Sequence, residues 1–281
     1  MTSRTPRLLL GATVLAALLL APTGAATAAP DARATGGTAS AEAAGPAAVF
    51  LTHNVAGRLQ NEGRTDPVAA DLVRAVRSRT NVQGGVLQEI CANQARVADR
   101  RLSGFRIHFF ATGVRCASGA AFGNAVLLRN GPVVRNKVAL PGDNSRIVGC
   151  ATKKSPRLAV CSTHLVAARD DGAVRRQQGA RVAQVAAGYV RRGFPTFVGG
   201  DFNDTPTADT LDPLYRRAYG GGARGVFTES NGCCGRSGTP TLGTAKFDYG
   251  FASAKWRVVR SWVGDASSSD HDRLWTVLRR R

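Results

Sequence analysis

Six short polar stretches, each closing or following an apolar run, hold the side chains best suited to chemistry. Asn54 falls near the end of AVFLTHNV (48–55), and Glu89 ends VLQE (86–89). His164 closes AVCSTH (159–164), and Asp201 and Asn203 follow the paired glycines of FVGGDFNDTP (197–206). Asp248 lies in KFDYGF (246–251), while Asp270 and His271 follow the three serines at 267–269. Any one of these has an ordinary structural explanation, since Asn and Asp stop strands and shape turns. Six in succession put carboxylates, amides and imidazoles at strand ends, where side chains on one rim converge.

The residue types point to one reaction class. Asn54, Glu89 and Asp270 offer hard oxygen atoms, which suit Mg²⁺, with Mn²⁺ or Ca²⁺ as alternatives, better than zinc. Asp201 can orient and deprotonate a water, with Asn203 steering the attacked group. His164 and His271 can donate protons or hydrogen bonds near neutral pH. Asp248 can hold one imidazole in the required tautomer, as carboxylates do in hydrolytic triads. A charge-absorbing metal, an oriented water and an imidazole acid together describe phosphate-ester hydrolysis.

The elements that must position these groups are mostly strands. Apolar and alternating runs predict strands over 48–55, 86–89, 105–111, 121–128, 133–140, 147–152, 158–164, 194–198, 247–253, 256–263 and 274–278. Asp66-Pro67 gives an N-cap and a first-turn proline, so 67–79 reads as an amphipathic helix. Further helices are expected over 94–102, 172–192 and 207–219, and 220–244 as a long glycine-rich loop. Many strands, few helices and mixed connections predict an α+β domain of two packed sheets with helices outside.

Arg4 and Arg7, the apolar run 8–20 and Ala26-Thr27-Ala28 have the pattern of a secretory signal over 1–28. Residues 29–46 read as a disordered leader, and 47–281 as one domain without internal repeats. The expectation is a secreted, extracellular, monomeric protein without stable membrane association. Six cysteines in an exported chain imply disulfides. Cys150 pairs best with Cys161 across a hairpin, and Cys91 with Cys116 comes next. Cys233 and Cys234 remain only by elimination, because trans-linked neighbours sit about 3.8 Å apart at Cα, below the usual disulfide range.

The chain carries 38 Lys and Arg against 19 Asp and Glu. The surplus is +19, or +17 without residues 1–28, and predicts attraction to polyanions. Arg129, Arg224, Arg236 and Lys246 are candidate substrate-phosphate contacts.

The stretches THNV, LQE, STHL, GGDFN, FDYGF and SDH, in this order from 48 to 278, resemble the endonuclease/exonuclease/phosphatase superfamily that includes deoxyribonuclease I. GGDFN with a late SDH is the specific combination. The resemblance implies a four-layer α/β/β/α sandwich and a divalent-metal phosphodiesterase. It implies that Asn54 and Glu89 bind metal or its waters, with Asp270 beside it, and that Asp201 and Asn203 position the nucleophile. It further implies that Asp248 pairs with His271 and that His164 touches phosphate or the leaving group. The His of STHL is typical of the deoxyribonuclease I and sphingomyelinase branches and not of the abasic-site repair branch. Gly250 departs from the family's form of that strand and leaves the packing beneath Asp248 in question. A nucleic-acid nuclease is the leading expectation. A sphingomyelinase-like phospholipid diesterase is the alternative, weakened by an aromatic content of only 6%. A binding domain without catalysis would require all six motifs to be idle.

Overall fold

The computed structural model describes residues 46–167, 171–232 and 235–281. The signal and leader expected over 1–46, except Pro46, and the vicinal pair Cys233 and Cys234 lie outside the described residues. In chain order the elements are β1 (Ala48–Asn54), α1 (Thr65–Arg77), β2 (Val82–Cys91), α2 (Ala92–Arg101), β3 (Phe105–Arg115), β4 (Ala121–Arg129), β5 (Val134–Ala139), β6 (Ile147–Lys154) and β7 (Arg157–His164). They continue with α3 (Gly172–Arg191), β8 (Thr196–Asp201), β9 (Phe227–Glu229), β10 (Asp248–Ser253), β11 (Trp256–Gly264) and β12 (Arg273–Arg280).

The strands form two mixed six-stranded sheets, ordered β11-β12-β1-β2-β4-β3 and β5-β6-β7-β8-β10-β9. Side chains alternate across a strand, and this divides the apolar residues into three layers. Val49 and Leu51 of β1 pack with Leu72, Val76 and Ala95, so α1 and α2 cover the first sheet. Val198 and Phe251 pack with Val182 and Ala186, so α3 covers the second. Phe50, Val86, Val126, Val160 and Phe197 fill the space between the sheets. The result is the four-layer sandwich expected from the sequence.

Several boundaries differ from expectation, each for a local reason. β2 begins at Val82, because Gly84 and Gly85 lie inside a continuous strand and do not break it. The helix expected over 207–219 is two short 3-10 turns, Asp209–Leu211 and Arg217–Tyr219; Pro213 between them lacks the N–H a helix needs. The loop expected over 220–244 contains β9, an edge strand paired with β10. Asp66 is not the cap of α1 but lies in its first turn, where it pairs with Arg101 at 2.6 Å. The disulfides Cys91–Cys116 and Cys150–Cys161 are formed, the second across β6 and β7.

The middle layer changes character along its length. Toward one end it is aromatic: Phe50 stacks on Phe197 at 4.8 Å, and Trp256 meets Phe50 edge-on at 5.8 Å. Toward the other end it is small and polar. Thr52 Oγ1 donates to the Tyr249 carbonyl, and Gln88 donates to Ser162 Oγ across the sheets. A Cβ on Gly199 would lie 2.6 Å from Thr52 Oγ1 and 2.7 Å from Val86 Cγ2. One on Gly250 would lie 2.8 Å from Ser230 Oγ and 3.0 Å from Phe197 Cζ. Gly250 is therefore no weakness under Asp248: its missing side chain lets the two sheets close there.

Gly199→Ala is expected to overpack this junction and to destabilise the fold by about 1–3 kcal/mol. A lowered denaturant midpoint in equilibrium unfolding checks this, and an unchanged midpoint refutes it.

Candidate active site

The small, polar end of the sandwich is where the six sequence stretches meet. Parallel pairing of β7 and β8 sets His164 beside Asp201, and antiparallel pairing of β8 and β10 sets Asp248 opposite Asp201. Asp201, Asp248, His164 and His271 are all buried. Two carboxylates in one cross-strand pair repel each other, so their surroundings decide their charge. Asp201 Oδ1 accepts the backbone N–H of Asn203 at 2.8 Å, and Oδ2 accepts Asn54 Nδ2 at 3.1 Å. Burial first, and then the Asp248 charge, raise the Asp201 pKa to about 7.

His271 answers the repulsion. Its Nδ1 lies 2.7 Å from Asp248 Oδ2, and its Nε2 lies 3.7 Å from Asp201 Oδ2. Burial alone lowers its pKa, but the hydrogen bond and charge of Asp248, with Asp201 and Asp270, outweigh that and raise it to about 9. His164 Nε2 sits 3.6 Å from the same Asp201 oxygen. Burial, with Arg146 and His271 nearby, lowers its pKa well below the usual value, so it is neutral. One carboxylate oxygen thus faces two imidazoles of opposite protonation preference. Among the described residues, His164 Nδ1 and Asp248 Oδ1 have no hydrogen-bond partner, an exception for buried polar atoms that a catalytic role would explain.

Backbone geometry at this rim is unusual. β2 carries an irregularity between Leu87 and Ile90, and Glu89 has φ +55°. Bulges re-aim side chains beside active sites; here the bulge brings Glu89 Oε1 to 3.2 Å from Asn54 Nδ2. Gly57 N–H donates to the Glu89 carbonyl, and a Cβ on Gly57 would collide with that oxygen at 2.6 Å. Asn203 has φ +50° and anchors its own side chain on the Leu165 carbonyl. Asn54 is one of the metal ligands expected from the sequence. Its amide oxygen accepts Ala56 N–H at 3.0 Å, and its NH₂ ties Glu89 to Asp201. These bonds draw the two carboxylates together. Asp270 is exposed, with its backbone N–H on Gln60 Oε1.

The donor set accommodates a hard cation. Ligand atoms of Asp201, Asp248 and His271 lie within 4.8 Å of one another, but the bond between Asp248 and His271 already engages two of them. Glu89 Oε1, held by Asn54 on the same rim, is a carboxylate oxygen outside that group, and oxygen ligands suit Mg²⁺, Mn²⁺ or Ca²⁺.

The expected phosphate contacts are elsewhere. Lys246 is buried, with Nζ on Glu229 and on the carbonyls of Asn231 and Ser237. Arg236 is buried on Asp212 and three carbonyls. Both are internal struts, because a glycine-rich loop has little apolar surface to hold it. Arg129 lies at the far end of β4, on the Val82 carbonyl and over the Phe105 ring. Arg224 is exposed and pairs with Asp212. Arg146, just before β6 and paired with Asp143 at 3.5 Å, is a cation whose charge acts on His164. Nothing in its sequence neighbourhood distinguishes it from other arginines. A cleft of 790 Å³ between residues 228–232 and 258–261 holds none of these groups.

A second missed residue is Asp71, buried on α1. It accepts Ser267 Oγ at 2.5 Å and Ser268 Oγ at 2.9 Å, and it pairs with Arg273. These contacts fix both ends of the segment carrying His271. Asp71 falls on the apolar face of an amphipathic helix, and that misplaced charge was its only signal. His53 faces this network and not the site, because it alternates with Asn54; burial and Arg273 lower its pKa to about 3.

The family model for the Endonuclease/Exonuclease/phosphatase family matches residues 51–271. The chain belongs to that family. Its members are phosphoester hydrolases and are generally divalent-metal dependent. The fold is similar to that of the human Nocturnin catalytic domain, with a TM-score of 0.66 at 16% identity over 83% of this chain and 93% of that one. TDP2 from C. elegans gives 0.59 at 15% over 83% and 75%. A mannosyl-6-phosphatase of Bacteroides thetaiotaomicron gives 0.57 at 16% over 82% and 99%. No curated protein matches.

Asp71→Asn leaves Arg273 buried without its counter-charge and is expected to destabilise by about 3 kcal/mol. Hydrogen exchange across 265–272 should rise with it, and unchanged exchange there would refute the anchoring role.

Proposed function

We propose that this chain is an exported, divalent-metal-dependent phosphodiesterase acting on nucleic acid, and the observation that carries this is the Asp201 oxygen facing both imidazoles. A cation held by Glu89 would neutralise charge on the phosphate when bound. The chain's own groups do the rest. Asp201, ionised above about pH 7, takes a proton from the attacking water, with Asn203 N–H fixing its other oxygen. His271, protonated up to about pH 9 and held through Nδ1 by Asp248, donates from Nε2 to the phosphate or leaving oxygen. Neutral His164 hydrogen-bonds a phosphate oxygen, and Arg146 supplies nearby positive charge.

The phospholipid reading has less support. Trp256 and Trp275 are buried, and Trp262 stacks on Trp275 with Arg79 and Arg260 beside it. No described helix is long and apolar enough to cross a membrane. Neither offers an aromatic for insertion into a bilayer. A phosphomonoesterase, as the mannosyl-6-phosphatase neighbour is named, is the class the experiment must separate.

Nicking of supercoiled plasmid by the chain with Mg²⁺, absent with EDTA and absent in His271→Ala, is the expected result. Release of phosphate from sugar phosphates without plasmid nicking would overturn it. The rate constant kcat/KM should rise with pH through about 7 as Asp201 ionises and fall through about 9 as His271 loses its proton. In Asp248→Asn the alkaline limb should move to lower pH, because the hydrogen bond and charge that raise the His271 pKa are removed. An unmoved limb would dissociate it from His271.

A further inference from the structure

The end of the sandwich opposite the active site collects basic side chains without acids. It is built from the β6–β7 turn, the C-terminal end of α3, the β10–β11 turn and the end of β12. Residues 153–160, 187–197, 252–258 and 278–281 contain ten Lys or Arg and no Asp or Glu. The parts are stitched together: Arg157 donates to the Arg192 carbonyl, Arg280 to the Arg157 carbonyl, and Arg281 N–H to the Lys255 carbonyl. The guanidinium carbons of Arg157, Arg192 and Arg280 lie over the rings of Phe194, Tyr189 and Trp256 at 4.4–4.8 Å. Among the described residues, Lys154, Arg191, Lys255 and Arg281 are exposed and form no ion pair.

We propose that this basic end is a second, non-catalytic anchor for the phosphate backbone of nucleic acid. The distance sets its role. β12 runs from Arg273 to Arg280, and at about 3.3 Å per residue the anchor lies roughly 25 Å from His271. Phosphates bound there are not those being cleaved. Repulsion among so many cations, unrelieved by acids, is removed when a polyanion displaces their counterions. Arginines held over aromatic rings are already ordered, so less side-chain entropy is lost on contact. None of the large exposed apolar residues, Leu59, Val134, Val226 and Val259, belongs to these four segments, which weighs against insertion into a lipid surface. The choice of nucleic acid over other polyanions rests on the functional reading above. Holding the substrate at two places raises its effective concentration at the rim.

The test uses the fourfold variant Lys154→Glu, Arg191→Glu, Lys255→Glu, Arg281→Glu, none of whose side chains touches the active site. Binding to a short labelled DNA duplex is followed by fluorescence anisotropy in EDTA between about 50 and about 200 mM salt. The expected result is an affinity lower by at least about tenfold and a log–log salt slope shallower by about 3–4. Hydrolysis of bis(4-nitrophenyl) phosphate, too small to reach the anchor, should be unchanged. Equal affinity and slope in variant and wild type would overturn the anchor, as would loss of binding to phosphatidylserine vesicles but not to DNA. If the wild type binds DNA through this end but cleaves no phosphodiester, the anchor stands and the catalytic reading falls.

Discussion

Two buried carboxylates facing each other across adjacent strands are the constraint around which this rim is built. Asp201 and Asp248 pair in register between β8 and β10, where like charges are unfavourable and burial makes each charge costlier still. Such a pair persists only with compensation close by. His271 bonds one carboxylate and approaches the other, while Asn54 and the Asn203 N–H donate to Asp201. The compensation is incomplete, and this is useful: Asp201 remains a base near neutrality and His271 a retained acid. Chemistry here is the residue of an electrostatic conflict that the fold does not fully relieve.

Keeping that conflict dry requires the sheets to close beneath it. Large apolar side chains would hold them apart, so the middle layer thins from Phe50, Phe197 and Trp256 to Thr52, Gly199 and Gly250. The narrowing exposes backbone and polar groups to one another, and hydrogen bonds such as that from Gln88 to Ser162 take over the cohesion. A polar interior in one half of the sandwich and an apolar one in the other follow from the same strands. The hydroxyls of 267–269 then complete the wall: Ser267 and Ser268 reach back to Asp71, and Ser269 to the Asn54 carbonyl.

Which parts were legible in the sequence depends on the range of the interactions. Strand alternation and terminal polar residues are local, so the six stretches, the hairpin disulfide and the layered class could be read directly. The resemblance carried by GGDFN and SDH supplied the four-layer order that local patterning leaves open. Gly250 was misread because its value lies in Ser230, Phe197 and Thr276, which are distant in sequence and close only after folding. The 207–219 stretch has helical composition, yet Pro213 and the packing of 209–211 against α3 break it into turns. Glu89 was visible as a strand-ending carboxylate, but the bulge that aims it was not. Asp71 is not legible because Ser267, Ser268 and Arg273 lie on another part of the chain, and Arg146 because His164 does.

The cations show the same limit most sharply. Composition records a surplus but not where each charge is used. Arg236, Lys246 and Arg273 are consumed internally, each paired with a buried acid. Replacing such a pair with apolar groups need not cost stability, but breaking it does. These charges therefore say nothing about ligands, although they count in the total. Once they are set aside, the remaining surplus is unevenly distributed. Asp201, Asp248 and Glu89 gather at the catalytic rim, while the four segments of the opposite end contain no acid. A molecule polarised in this way presents its negative groups where a metal and a reacting phosphate must be organised. It presents its unpaired positive groups where a long anionic substrate can be held without disturbing that organisation.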